Sequence, residues 1–294
     1  MILIAIDPLL PLHVDPSRID SGTMLRTDYH NHTARCGHAG GAMRDYLLAA
    51  LGRGVTELAF TDHVPLYFLP GDDPGPGLAM TRAELPGYVA EVEALREEFA
   101  GRIDLLLGIE ADYAEGFEEE LNELLAPYPW DVVLGSVHCV AGDWIDAPGS
   151  GKRHGTEGSA ALWSEYYRLI AKACGTGLFD VMSHFDLPKK FGHHRPAEVL
   201  GAEEAAVEAA AKAGVAIEVS SAGLRKTVAE IYPGPDLLRK LVTAGVPVVF
   251  SSDSHAPAES GWGLEKTLAA AREAGATSQL SFRRRVATAH PIDA

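Results

Sequence analysis

Cysteine is scarce in this chain. Three residues in 294, Cys36, Cys139 and Cys174, are too few and too scattered for the framework of a secreted, disulfide-stabilised fold. No uncharged apolar run approaches the roughly 20 residues that a bilayer requires, which excludes a membrane-spanning helix. Basic residues are short as well, 25 Lys+Arg against 41 Asp+Glu. The resulting charge of −16 repels a phosphate backbone, so nucleic acid is not an expected partner. The opening MILIAIDPLLPLHV lacks a basic leading region and a small-residue cleavage site, and Asp7 and Pro8 interrupt it, so it is a poor signal peptide. A reducing, cytoplasmic setting is expected. Three site signatures are also missing: the G-x-S-x-G elbow of serine hydrolases, the G-x-x-x-x-G-K-[ST] phosphate loop, and a Gly-rich dinucleotide fingerprint after the first strand.

Apolar residues make up 47% of the chain, enough for a sizeable core. Short β-rich runs alternate with polar loops and Ala/Glu/Arg/Leu-rich helical stretches. Strands are predicted at 26–32, 57–62, 104–110, 131–138, 179–184, 215–220 and 246–252, and helices notably at 82–99, 159–174, 202–213, 235–244 and 261–274. Gly54, Gly175, Gly214, Gly245 and Gly275 follow helical runs, where a left-handed cap suits glycine. Seven such units with nearly continuous apolar strands predict an α/β fold with a parallel sheet closed, or nearly closed, into a barrel. Residues 1–23 are read as an N-terminal extension and 24–294 as a single barrel domain. The polar stretch 139–158 is expected to loop over one barrel end, and the segment carrying Arg283, Arg284 and Arg285 has no assigned structure.

Six of the twelve histidines fall at or just past a predicted strand's C-terminal end: His30, His32, His63, His138, His184 and His255. Glu110 ends the third strand, and Asp253 accompanies His255. In a parallel barrel these ends share one face, where active sites form. Alternation along a strand puts His30, His32 and Asp28 on one side, and an extended chain past the seventh strand would do the same for Asp253 and His255. His38, in the glycine-flanked ARCGHAGG loop, can fold back over the same mouth. Taken singly, each histidine could be an ordinary solvated residue. Seven imidazoles and two carboxylates aimed at one mouth would instead repel or stay unsatisfied without cations, and that donor set suits Zn, Fe or Mn. Cys36 and Cys139 are left out of the ligand set.

DYHNH (28–32), CGH (36–38), TDH (61–63), GIEAD (108–112), GSVH (135–138), SHFD (183–186) and SDSH (252–255) occur in the order seen in the PHP superfamily, named for polymerase and histidinol phosphatase. DLPKKFGH (186–193) and AGLRKTVAEIYP (222–233) resemble its histidinol-phosphatase branch. The resemblance implies a distorted (β/α)7 TIM-like barrel with a trinuclear centre of divalent transition-metal ions. It implies that His30, His32, Glu110 and Asp253 hold one ion. A second would be held by bridging Glu110 with His138 and His184, and a third by His38, His63 and His255. Ser183 and Ser254 stand where relatives often have Gly and Ala.

The implied reaction is hydrolysis of a small phosphate monoester, L-histidinol phosphate, in histidine biosynthesis. Glu110, Asp253 and His255 count as the catalytic residues, and hydroxide bridging two metals would attack phosphorus in line. Arg225 is assigned to the substrate phosphate, because guanidinium suits bidentate phosphate contact. Lys189 and Lys190 are further candidates, and Arg153 and His154 could close over the substrate. Asp28 and Asp62 are expected to accept imidazole N–H groups. His193 and His194 are divided between a substrate-facing and a surface role. Alternatives are another phosphoesterase acting on a nucleotide monophosphate, an amidohydrolase-like C–N hydrolase (disfavoured because no lysine stands at a strand end), and a barrel whose metals serve folding only. The oligomeric state is left open.

Overall fold

The computed structural model describes residues 25–71, 77–147 and 159–292. The 1–23 extension, Arg153 and His154 lie outside the described residues.

The first half runs β1 (Thr27–Asp28), α1 (Met43–Gly52), β2 (Glu57–Phe60), α2 (Leu85–Glu98), β3 (Asp104–Asp112), α3 (Glu118–Leu125) and β4 (Val132–Ser136). A small hairpin of β5 (Cys139–Val140) and β6 (Asp143–Trp144) follows, where the sequence predicted only a loop. The second half runs α4 (Ser159–Cys174), β7 (Val181–Met182), α5 (Leu200–Ala213), β8 (Ala216–Ser220), α6 (Pro235–Thr243), β9 (Val248–Ser251) and α7 (Leu264–Glu273). An antiparallel hairpin of β10 (Ser278–Arg283) and β11 (Val286–Pro291) ends the described chain.

All seven predicted strands form, each within its expected window or extending it by two residues, and they pair in parallel in the order β1-β2-β3-β4-β7-β8-β9. The outer two strands then approach each other: Tyr29 N–H donates to Phe250 O at 3.1 Å, and Ser254 N–H to His30 O at 3.1 Å. This nearly closed barrel is why the strands read as continuous apolar runs, since both faces are buried. Leu106 on β3 joins Ala59, Leu134, Ala216 and Val249 inside the barrel, while its neighbours Leu105 and Leu107 pack outward in the larger cluster shared with the helices.

The arginine-rich C-terminal segment closes the barrel's floor. Leu280, Phe282 and Ala287 of the hairpin enter the inner cluster, with Phe282 edge-on to Tyr29 at 6.2 Å. Arg283 pairs with Glu57 at 3.0 Å and Asp104 at 3.1 Å, and Arg285 with Asp180 at 3.0 Å. Arg284 and Arg285 turn the hairpin with φ of 51° and 63°, and their N–H groups reach Asp131. These four acids stand at the N-terminal ends of β2, β3, β4 and β7, so one rim is sealed and the opposite rim is left for chemistry. Gly54, Gly214, Gly245 and Gly275 adopt left-handed conformations after helices as expected. Gly175 does not; that conformation falls two residues later, at Gly177 with φ 71°.

Candidate metal centre

The open rim carries the residues that end β1 to β4 and β7 to β9. A cavity of about 520 Å³ opens there, lined by six imidazoles (His32, His38, His63, His138, His184 and His255) and by Glu110, Asp112, Asp146 and Asp253. His30 lies beneath it, fully buried.

Glu110 is the hub. Its Oε2 lies 3.2 Å from His30 Nε2, 3.3 Å from His32 Nε2 and 3.0 Å from His63 Nδ1, while its Oε1 lies 3.2 Å from His184 Nε2 and 3.7 Å from His138 Nε2. Asp253 Oδ1 faces His32 Nε2 and His255 Nδ1, both at 3.5 Å, and His30 Nε2 at 3.8 Å. The Nε2 atoms of His30 and His32 are only 2.9 Å apart. Crowding nitrogens against one another and against one carboxylate oxygen is costly unless a positive charge sits among them. Among the described residues, Glu110 Oε2, surrounded by three imidazoles, has no hydrogen-bond partner. The donor set therefore fits cations. His30, His32 and Glu110 converge with ligand atoms within 4.8 Å of one another, as do Glu110, His138 and His184. The expected third set, His38, His63 and His255, is not among the groups of described residues whose ligand atoms lie within 4.8 Å of one another, although the His38 ring centre is 5.5 Å from that of His63 and 5.0 Å from that of His255. Among the described residues, His63 groups with Asp112 and His138, and His255 with His32 and Asp253. His32 also converges with Cys36 and Asp62, although Cys36 donates its S–H to Thr33 O at 3.1 Å.

The backbone bends to bring these groups in. His184 and Asp253 have φ of 23° and 47°, conformations that side chains other than Gly rarely adopt and that mark functional sites. The chain past β9 does not stay extended, so alternation along a strand does not set these two side chains. A left-handed residue turns Asp253 and His255 toward each other instead.

Charge is divided sharply within the cluster. Burial opposes a charge on His30, but Glu110, Glu218 and Asp253 outweigh it and hold the imidazole well above its ordinary range. His138 behaves likewise: against burial, Asp112 and Glu110 raise it to about 10. Burial pushes His32 and His63 down to about 3 and His255 to about 4, so these three are neutral and ready to ligate at pH 7. Glu110 and Asp253 stay ionised because neighbouring imidazoles, His30 foremost, outweigh their burial.

Residues 28–222 match the PHP domain family. The chain belongs to this family. A protein of Deinococcus radiodurans named probable histidinol-phosphatase is 40% identical over 261 residues, which cover 88% of this chain and 96% of that protein. The histidinol-phosphatase of Bacillus subtilis is 29% identical over 276 residues, covering 83% and 99%. The crystal structure of histidinol phosphate phosphatase from Lactococcus lactis, complexed with zinc, L-histidinol and phosphate, has the same fold: TM-score 0.73 at 22% identity, over 90% of this chain and 99% of that one.

Several expectations for this PHP chain need correction. Arg225 does not line the cavity. Its Nη2 donates to the carbonyl oxygens of Ser252 at 2.8 Å and Asp253 at 3.0 Å, and its guanidinium lies over Trp262. Arg225 therefore braces the loop that presents Asp253. Lys189 faces away from the rim, bound to Asp186, Glu230 and Ile231 O, whereas Lys190 lines the cavity beside Asp146. Lys226, which the sequence reading passed over, lines it too. Among the described residues, Asp28 and Asp62 accept no imidazole N–H. Strand β1 ends at Asp28, and with Tyr29 turned into the barrel the Asp28 carboxylate takes Ser252 N–H, Ser252 O–H and Gly261 N–H, while Asp62 takes Thr33. The groups that do orient imidazoles are Glu218, 2.6 Å from His30 Nδ1, and Asp112, 2.8 Å from His138 Nδ1. Both left a trace in the sequence. Asp112 stands two residues after Glu110, hence on the same strand face, and Glu218 is a lone charge within the apolar run AIEVS. Of the paired histidines, His194 lines a separate cavity.

Proposed function

We propose that this chain is a phosphoric monoester hydrolase acting on L-histidinol phosphate, with three divalent cations of the Zn, Fe or Mn type. His30, His32, Glu110 and Asp253 would hold one ion, Glu110, His138 and His184 the second, and His38, His63 and His255 the third. The observation that carries the reading is the cavity: a floor of imidazoles around the ionised Glu110 and Asp253 carboxylates, and a wall bearing Lys190 and Lys226. The similarity to proteins named histidinol-phosphatase over most of their length supports the choice of substrate.

Bound cations would supply water activated near neutral pH and offset charge on the phosphoryl group. The protein's own residues do the rest. Glu110, Asp253 and His255 fix the reacting end of the cavity. Lys190 and Lys226 bring positive charge to the phosphate without the geometric demand of a guanidinium fork. Asp146, on the same wall, lies 3.1 Å from Lys190 Nζ; against its burial, His138 and then Lys190 pull its carboxyl down to about 2, so it is ionised at neutral pH. Its carboxylate suits the ammonium group of an amino-alcohol ester. Among the described residues no helix is long and apolar enough to cross a membrane.

The test is phosphate release by metal-loaded protein, comparing L-histidinol phosphate with nucleoside 5′-monophosphates. A kcat/KM at least about 100-fold higher for histidinol phosphate is expected, since a site that pairs a substrate ammonium discriminates strongly against its absence. Equal turnover of the nucleotides would transfer the assignment to them.

A further inference from the structure

Two buried tyrosines outside the barrel share one device. Tyr67, in the chain after β2, donates its O–H to Asp112 O at 2.6 Å and accepts Ala114 N–H at 3.3 Å. Tyr166, on α4, donates to His184 O at 2.8 Å and accepts Leu187 N–H at 3.4 Å. Each hydroxyl thus spans a carbonyl where the chain leaves a strand and an N–H two or three residues further on. Tyr166 is fully buried and Tyr67 is 7% exposed, and neither lines the metal cavity, so neither meets a substrate there.

Both bonds end on backbone that presents the imidazoles assigned to the second ion. Asp112 Oδ1 takes His138 N–H at 3.1 Å and lies 2.8 Å from His138 Nδ1, so the backbone at Asp112 sets where that ring stands. His184 is the other imidazole. Its φ of 23° persists only where the surroundings enforce it. Glu218 Oε2 holds its N–H at 2.7 Å and Tyr166 holds its carbonyl, so both polar ends of the strained residue are tied. Strand β7 stops at Met182, short of the ligand, and does not supply that restraint itself.

We propose that Tyr67 and Tyr166 are positioning residues for one metal ion, the one assigned to Glu110, His138 and His184. The inference rests on those ligand roles and is independent of the substrate. The ligand atoms of the three residues converge to within 4.8 Å of one another. Groups fixed beforehand in the coordinating direction lose little freedom when they ligate, and the two hydroxyls provide that fixing from the outer layer. The fold also contains a matched comparison. Tyr88, on α2, is fully buried and makes the same kind of bond, to Gly108 O at 2.8 Å. Gly108 lies in the middle of β3 opposite Val132, where the sheet ladder already fixes the backbone.

The experiment is zinc titration of the full chain, in competition with a chromophoric chelator, for wild type, Tyr67→Phe, Tyr166→Phe and Tyr88→Phe. Each change deletes one hydroxyl and keeps the ring; Tyr166→Phe retains the edge-on packing against Trp163 and Tyr167. His184→Ala marks the class of zinc site that belongs to this ion by abolishing it. Tyr67→Phe and Tyr166→Phe each weaken that class about tenfold, and the double variant weakens it about 100-fold, because the hydroxyls act on different ligands. Tyr88→Phe leaves it at the wild-type affinity. Thermal unfolding of the chelated proteins separates positioning from plain support, since each single variant loses one buried hydrogen bond and a few degrees of Tm. A loss of Tm with zinc affinity unchanged in Tyr67→Phe and Tyr166→Phe overturns the proposal, and so does equal weakening of zinc binding in Tyr88→Phe. If His184→Ala abolishes no class of zinc site, the ligand assignment itself fails and takes the positioning role with it.

Discussion

Glu218 and Arg225 flank the sixth barrel strand's end and organise ligands they do not replace. The Glu218 carboxylate lies 2.6 Å from His30 Nδ1, accepts Ser251 O–H at 2.6 Å and accepts His184 N–H at 2.7 Å. One side chain thus fixes the ring of one metal-binding candidate and the strained backbone of another. Neutralising it in Glu218→Gln should lower metal affinity about 10- to 100-fold, as loss of such supporting carboxylates does, with the fold intact. Metal titration of the purified variant checks this, and full occupancy at wild-type metal concentration would refute it. Arg225 makes the opposite prediction from the one its chemistry first suggests. A guanidinium that contacted phosphate would leave metal content unchanged when removed. Because it instead holds the carbonyl oxygens of Ser252 and Asp253, at a residue with φ 47°, Arg225→Ala should lose metal along with activity. Metal analysis beside kinetics separates the two.

At the level of elements, the C-terminal hairpin does what the seven strands cannot do alone. The barrel narrows onto small inner residues such as Ala59 and Ala216, and Phe282 fills the remaining space from below. Phe282→Ala should therefore cost about 3–5 kcal/mol, the range for a buried aromatic ring lost from a close-packed interior. Arg285→Ala leaves the buried Asp180 with its Val133 N–H bond but no cation and should cost about 1–3 kcal/mol, depressing Tm by a few degrees. Both changes lie at the sealed rim, so denaturant titration should show the loss while kcat stays near wild type. A large fall in kcat at unchanged stability would mean that the hairpin communicates with the open rim. This plug was not legible in the sequence. FRRRV carries the polar, charged signature of a loop, and its strand character comes from partners, Glu57, Asp104 and Asp180, scattered through the chain.

Across the whole molecule, the sequence disclosed the parallel barrel and the rim where its histidines collect, because both follow from period and position. Apolar runs of β-prone residues recur between helical stretches, and a parallel barrel puts every strand's last residue on one face. What stayed hidden depends on partners distant in sequence: Arg225 turned toward the carbonyls of residues 252 and 253, Asp28 turned outward once β1 ended, and Lys189 spent on Asp186 and Glu230. The division between fold and site leads to a prediction for the metal-free protein. Its core and plug contain no ligand, so chelation should leave the far-UV spectrum unchanged while lowering Tm, since ions that bind only the folded state stabilise it. The pH dependence then follows from the rim. His32, His63 and His255 have folded values near 3, 3 and 4, below their ordinary 6.5. Below pH 6.5 the unfolded chain takes up these protons first, so stability falls on acidification. His30 and His138 have raised values, His138 at about 10, so their contribution is complete below pH 6.5 and is lost as pH climbs through that higher range. The imidazole contribution to the Tm of the chelated protein should accordingly peak between about pH 6.5 and 7 and decline on both sides, while Glu57 and Asp62, raised by burial to about 7, take up protons first in the folded state and oppose the loss on the acid side. Reloading with zinc at pH 7 should release about two protons, those of His30 and His138, because a ligating imidazole must be neutral. Measuring the heat of zinc binding in buffers of different ionisation enthalpy counts those protons directly, and a count of zero would mean that neither imidazole ligates.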